Sequence, residues 1–297
     1  MRIPPLLLAA VLLLLAACDD TVSGNKPVGG GEASDAAIER FVRRAFLDLS
    51  GAPPSDADLA ARVAAVRAGG NTPAVRRALV QELMAAPAFA TVWTEELENR
   101  VLGGETLAYR YQFLCSIIRN DEAACRSCTA ADPCDCSCPT LTTLRQERAT
   151  LATTAGDLRS GTATSTLERR YALAIGYFAL SGEPDARAVA LFQDFLGRPA
   201  ELEERDNARA MIVGGLGGGP AGLLFHRHGG SYADLIDIVF GSEVYREAAV
   251  GRVFERYLAR APTSAERAHF VATLDAGEPD VRPVIEAVLA SKEYFDP

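Results

Sequence analysis

Apolar residues return along this chain with the period of an α-helix, and three stretches share the same plan. In the first, Ile38, Phe41, Val42, Ala45, Phe46 and Leu49 fall at i, i+3, i+4, i+7, i+8 and i+11, which is one face of a helix. Gly51 ends that helix, and Pro53 and Pro54 prevent its continuation. Ser55, three residues before Asp58, then opens a helix carrying Leu59, Val63 and Val66. Beyond Gly69-Gly70-Asn71 a third helix is expected through Val75, Leu79, Val80 and Leu83, running to Pro87, Phe89 and Trp93.

The second stretch repeats the spacing with Ala188, Leu191, Phe192, Phe195 and Leu196, turns at Gly197-Arg198-Pro199, and closes on ADLIDIVFGSEVY at 233–245. The third carries Val250, Val253, Phe254, Tyr257 and Leu258, breaks at Pro262, and restarts on a capping box of Thr263 and Glu266. It continues through Phe270, Val271 and Leu274, ends at Gly277, and closes on 284–294. Matching beginnings and matching ends predict an all-α fold of three related helical units stacked into one multi-helix domain, each covering its neighbour's apolar face. The expected boundaries are 35–104, 183–248 and 249–297, with a helical insertion at 105–182.

Tyr257-Leu258-Ala259-Arg260-Ala261-Pro262, with Ser291-Lys292-Glu293-Tyr294, resembles the bacterial domain-of-unknown-function family 4214. That family has repeated helical units with a Leu-Gly-Arg-x-Pro turn and a Ser-x-Glu-Phe/Tyr ending; Leu196–Pro199 and 242–245 match it in part. Residues 43–54, RRAFLDLSGAPP, with Pro87, Phe89 and Trp93, are similar to family 1549 of the same kind, which occurs in large exported proteins. The resemblance implies an exported helical protein and carries over no catalytic residue.

The N-terminus sharpens that expectation. Arg2 precedes an apolar run at 6–17 that is too short to span a bilayer. It closes on Leu15-Ala16-Ala17-Cys18, which resembles the bacterial lipobox. The resemblance implies removal of 1–17 as a lipoprotein signal peptide and attachment of acyl chains to Cys18, enough for a stable membrane anchor. Residues 18–34 then form the lipidated cysteine and a polar, Gly-rich tether. The expected location is the bacterial cell envelope, anchored to the inner or outer membrane and facing the periplasm or exterior.

Charge narrows the partners. The net charge is −9, and loss of Arg2 with the leader leaves −10, which argues against nucleic acid. Cys115, Cys125, Cys128, Cys134, Cys136 and Cys138 lie in the insertion, five of them in the run CRSCTAADPCDCSC. In an oxidising compartment an even number points to disulfides, with fifteen connectivities possible and none selected by spacing. The alternative is a redox or metal-binding loop built on Cys125-x-x-Cys128. Thr129 stands where a c-type haem would need histidine.

Other features carry less. Residues 217–222 spell G-x-G-x-x-G, but a helical segment precedes them and Pro220 lies inside, so a loop is expected. His226 and His228, alternating in an extended segment, would point the same way and share a metal, against a solvated loop. His269, beside Phe270, reads as a boundary residue. No Gly-x-Ser-x-Gly, His-Glu-x-x-His or Gly-Lys-Ser/Thr motif is present. The expectation is a non-enzymatic structural or interaction module without cofactor, metal or catalytic residues, holding an envelope protein or glycan partner.

Overall fold

A computed structural model describes residues 34–179, 182–214 and 221–296. Cys18, the leader and the tether up to residue 33 lie outside the described residues, as do positions 217–220 of the glycine run. Among the described residues the fold is all-α apart from one short hairpin. The first helical unit contains α1 (Asp35–Ser50), α2 (Asp56–Ala68) and α3 (Pro73–Ala85), followed by α4 (Pro87–Val101). The insertion holds α5 (Leu107–Asp121), a 3-10 turn (Pro133–Asp135), α6 (Pro139–Ala152), α7 (Thr154–Arg159), α8 (Thr164–Leu173) and α9 (Ile175–Phe178). The second unit has α10 (Pro184–Leu196), α11 (Leu202–Gly214), strands β1 (Gly222–Leu224) and β2 (Arg227–Gly229), and α12 (Tyr232–Phe240). The third has α13 (Glu243–Leu258), α14 (Ser264–Thr273), α15 (Arg282–Ala290) and α16 (Lys292–Phe295).

The chain divides into two compact bodies. One joins the described residues through Phe89 to Ala249–Asp275 and to the chain from Asp280 onward; the other comprises Ala90–Ala248 with Ala276–Pro279. In the first body α3 packs on α15 and α1 on α16, so the two terminal units share one core. Ile38, Phe41, Val42, Ala45 and Leu49 are buried as their spacing requires, while Phe46 is half-buried. Phe41 meets the rings of Tyr294 and Phe295 at 6.0 and 5.7 Å. Arg76, 4% exposed, donates from Nε to the Ala290 carbonyl at 2.8 Å, and so satisfies one of the orphan acceptors at the end of α15.

The caps show why the three units begin alike. Ser34, which the sequence places in the tether, accepts from the Ala37 N–H and caps α1. Each unit's first helix ends on a left-handed residue: Gly51 (φ 69°), Gly197 (φ 65°) and Ala259 (φ 55°). Four residues on, Ser55, Glu201 and Thr263 precede the next helix. In the third unit Thr263 and Glu266 form the expected capping box, and Arg260 is bonded to both carboxylate oxygens of Glu266 (2.9 Å each) and of Glu293 (2.6 Å each). In the second, Arg198 grips Glu204 in the same bidentate way at 2.6 and 2.7 Å, lowering the Glu204 pKa. Val244 stands where Glu293 does, and the first unit has Ala52 in place of the arginine.

Ala259 is the odd residue in this series. The left-handed conformation costs a side-chain-bearing residue about 1–2 kcal/mol, and Ala259 is exposed, so its methyl contributes no packing in return. Ala259→Gly is therefore expected to stabilise the first body by about 0.5–1 kcal/mol, after allowance for glycine's larger unfolded-state entropy. Urea denaturation of the two proteins checks this; an unchanged or lower midpoint would refute it.

Several expected helices are shorter than the apolar pattern suggests. The helix expected to run through Pro87 is interrupted at Ala86 (φ −72°, ψ 147°), because the residue before proline leaves the helical region. Within the expected helical insertion, Thr153 separates α6 from α7 and Ala174 separates α8 from α9. Ala174 is extended (φ −70°, ψ 140°), and the Glu147 carboxylate accepts from the next two N–H groups, Ile175 at 3.0 Å and Gly176 at 3.3 Å. A side chain from α6 thus caps α9.

Candidate functional site

The described residue types that carry chemistry converge on the insertion, within the second body. Helix α5 starts at Thr106, whose hydroxyl accepts from the Tyr109 N–H. It turns Leu107, Arg110, Tyr111, Leu114 and Cys115 inward. Its C-terminal carbonyls of Asn120 and Asp121 each accept from the Arg126 guanidinium at 3.0 Å. The cysteine run folds back beside it. Asp132 accepts from the Cys134 N–H (2.9 Å) and from Arg148 on α6 (3.1 Å). The Cys134 N–H, first, and Arg148 hold the Asp132 carboxyl below the usual carboxylate range against the opposing effect of burial.

All six cysteines of the insertion are paired: Cys115–Cys134, Cys125–Cys138 and Cys128–Cys136. Their Cα separations of 5.1, 5.6 and 5.7 Å lie within the range a disulfide spans. The Cys128–Cys136 bridge nests inside Cys125–Cys138, and Cys115–Cys134 crosses both. Two nested bridges close the loop on itself, and the crossing one fastens it to α5. Five of the six cysteines are buried and Cys128 is half-buried.

One group of described residues has the spacing of a metal site. The Glu122 carboxylate and the sulfurs of Cys125 and Cys138 lie within 4.8 Å of one another. Both sulfurs are bonded to each other, so neither is a thiolate, the form in which cysteine binds zinc.

The histidine pair sits differently from its expected geometry. Residues 225–226 form the two-residue loop of the β1–β2 hairpin, in which Leu224 pairs with Arg227 and Gly222 with Gly229. Phe225 (φ 47°) and His226 (φ 61°) are both left-handed, as a type I′ turn requires. His226 is in the turn and His228 in the strand, so the alternation that would point both the same way is absent. The strand that follows the glycine run also stands where a dinucleotide fingerprint would need a helix.

Sequence reading missed the buried polar residues beneath this surface. Tyr111 is completely buried, and its hydroxyl is bonded to Glu147, the carboxylate that caps α9. Burial first, and then Glu147, push the Tyr111 phenol far above its ordinary pKa. Its ring leaves no room at Gly176, where an added Cβ would lie 2.8 Å away. Deeper in the body, Glu168 (5% exposed) accepts from Arg100 at 2.7 Å and from the Tyr245 hydroxyl at 3.0 Å. Tyr171 donates to Glu98 at 2.8 Å, and Tyr177 to Asp194 at 3.0 Å. Burial raises the Asp194 pKa, opposed by the Tyr177 hydroxyl and by Arg100. Each carboxylate is held by a neighbour's donor, an arrangement suited to fixing helices more than to moving protons. The one signal for Glu168 was its place among Thr164, Leu167 and Tyr171 on the buried face of α8.

No protein-family model, curated protein or solved structure matches this chain.

Proposed function

We propose that this protein is an exported lipoprotein of the bacterial envelope, anchored through Cys18, and that it serves as a non-enzymatic module presenting a rigid helical surface to a protein or glycan partner. The observation that carries the reading is the set of three interlocked disulfides, which forms and persists in an oxidising compartment. The lipobox-like Leu15–Cys18 segment supports the anchor. No helix among the described residues is long and apolar enough to cross a membrane, so membrane attachment through them is not by such a span. The fully bonded cysteines and the satisfied carboxylates support a structural role for the insertion over a redox one.

The test is metabolic labelling in a bacterial host with an alkyne-tagged fatty acid. The natural protein is expected to take up label and to remain with membranes after a carbonate wash, and Cys18→Ala to do neither. Equal labelling of both, or none of the natural protein, would overturn the anchor.

A further inference from the structure

The three bridges of the insertion differ in access and in what each one holds. Cys115 and Cys134 are both buried, and so are Cys125 and Cys138. Cys128 is half-buried between the exposed Ser127 and Thr129, while its partner Cys136 is 1% exposed. A disulfide opens when a thiolate reaches one of its sulfurs, so burial at both ends protects a bridge and access at one end selects the point of attack. Among the six paired cysteines Cys128 has that access, and Cys136 would be the leaving sulfur.

Topology decides what such an opening releases. Cys128–Cys136 nests inside Cys125–Cys138, and Cys134 is fastened to α5 through Cys115. Loss of the inner bridge therefore loosens residues 126–133, between two cysteines that stay bonded. Hydrogen bonds from Arg126 to the Asn120 and Asp121 carbonyls, from Arg119 to Ala130, and between Arg148 and Asp132 still tie that segment down. Cys136 lies two residues from Cys134 and two from Cys138, so its sulfur stays close to where Cys128 was bonded and the bridge can close again. An accessible bridge whose loss leaves the surrounding framework in place is suited to exchange.

We propose that Cys128 is a thiol-exchange site that takes a low-molecular-weight thiol. The external thiolate attacks the Cys128 sulfur and forms a mixed disulfide there. The Cys128–Cys136 bond breaks, and its electron pair leaves on the Cys136 sulfur, which takes a proton from water. Attack by the Cys136 thiolate on the mixed disulfide reverses the step and expels the small thiol. The proposal goes beyond the interaction reading above, does not depend on the lipid anchor, and leaves the structural role of the insertion to the other two bridges.

The test uses the full chain in non-ionic detergent under native conditions, with glutathione as the probe. After graded exposure, acid stops the exchange, thiols are alkylated in denaturant, and the cysteine peptides are read by tandem mass spectrometry. Cys128 and Cys136 are expected to open at least about tenfold sooner than the other four cysteines. Oxidised glutathione then tests the direction of attack on two variants that keep the outer bridges, their folding checked by Trp93 fluorescence. Cys128 in Cys136→Ser is expected to take up glutathione at least about tenfold faster than Cys136 in Cys128→Ser. Three bridges opening together, another bridge opening first, or no opening before the protein unfolds would overturn the proposal. So would equal uptake by the two variants, which would remove Cys128 as the point of attack.

Discussion

Cys115→Ala with Cys134→Ala is expected to destabilise the second body by about 3 kcal/mol, and more than Cys128→Ala with Cys136→Ala. Cys115 and Cys134 are 19 residues apart, against 8 for Cys128 and Cys136, so their bridge removes more freedom from the unfolded chain. Topology widens the gap. The 128–136 loop lies inside a loop that Cys125–Cys138 already closes, so its marginal effect is small. The 115–134 bridge fastens the cysteine run to α5, and no other disulfide does. Trp93, the chain's single tryptophan and 8% exposed, belongs to this body and reports its unfolding in urea by fluorescence. The first body has no cysteine among its described residues, so its unfolding is expected to stay in place. Equal losses for the two double variants, or the reverse order, would refute the argument.

Helix faces and caps were legible in the sequence because both are local. Ile38 to Leu49, the Thr263–Glu266 box and the Gly51 and Gly197 stops depend on neighbours within one or two turns. The presence of disulfides was legible from an even cysteine count, but the pairing was not. It depends on where α5 and the Pro133–Asp135 turn place six sulfurs, and spacing along the chain does not encode that. The break at Ala174 was hidden for the same reason, since its cap is Glu147, far away in sequence. The hairpin turn gave no signal, as Phe225 and His226 occupy left-handed positions that Asn and Gly usually fill. The insertion was expected to be helical at 105–182 but without its faces, so the exposed row of Tyr109, Phe113 and Ile117 on α5 emerged only from the fold.

Arg100→Met should be the most damaging single substitution in the buried network, costing the second body about 3 kcal/mol. Arg100 keeps 26% of its side chain exposed while Glu168 keeps 6%, so the charge stranded by the change is the more deeply buried one. Methionine roughly preserves the aliphatic volume and isolates the loss of the guanidinium. Adding Glu168→Gln removes the stranded charge yet leaves an oxygen to accept from the Tyr245 hydroxyl. The double variant is therefore expected to be more stable than Arg100→Met alone, with a net cost of about 1 kcal/mol. Asp194 adds a pH dependence. Its folded pKa already lies above the unfolded value of 3.8, so its favourable contribution is complete in acid and fades as pH rises through the folded pKa. Arg100 opposes that rise, and its removal lifts the folded value further. The deficit of Arg100→Met should thus widen between pH 4 and pH 7. Urea titrations of the natural protein and both variants at the two pH values measure it. A double variant less stable than Arg100→Met would show that the Arg100–Glu168 pair does not hold this core, and a deficit that narrows toward neutral pH would show that Arg100 does not hold the Asp194 pKa down.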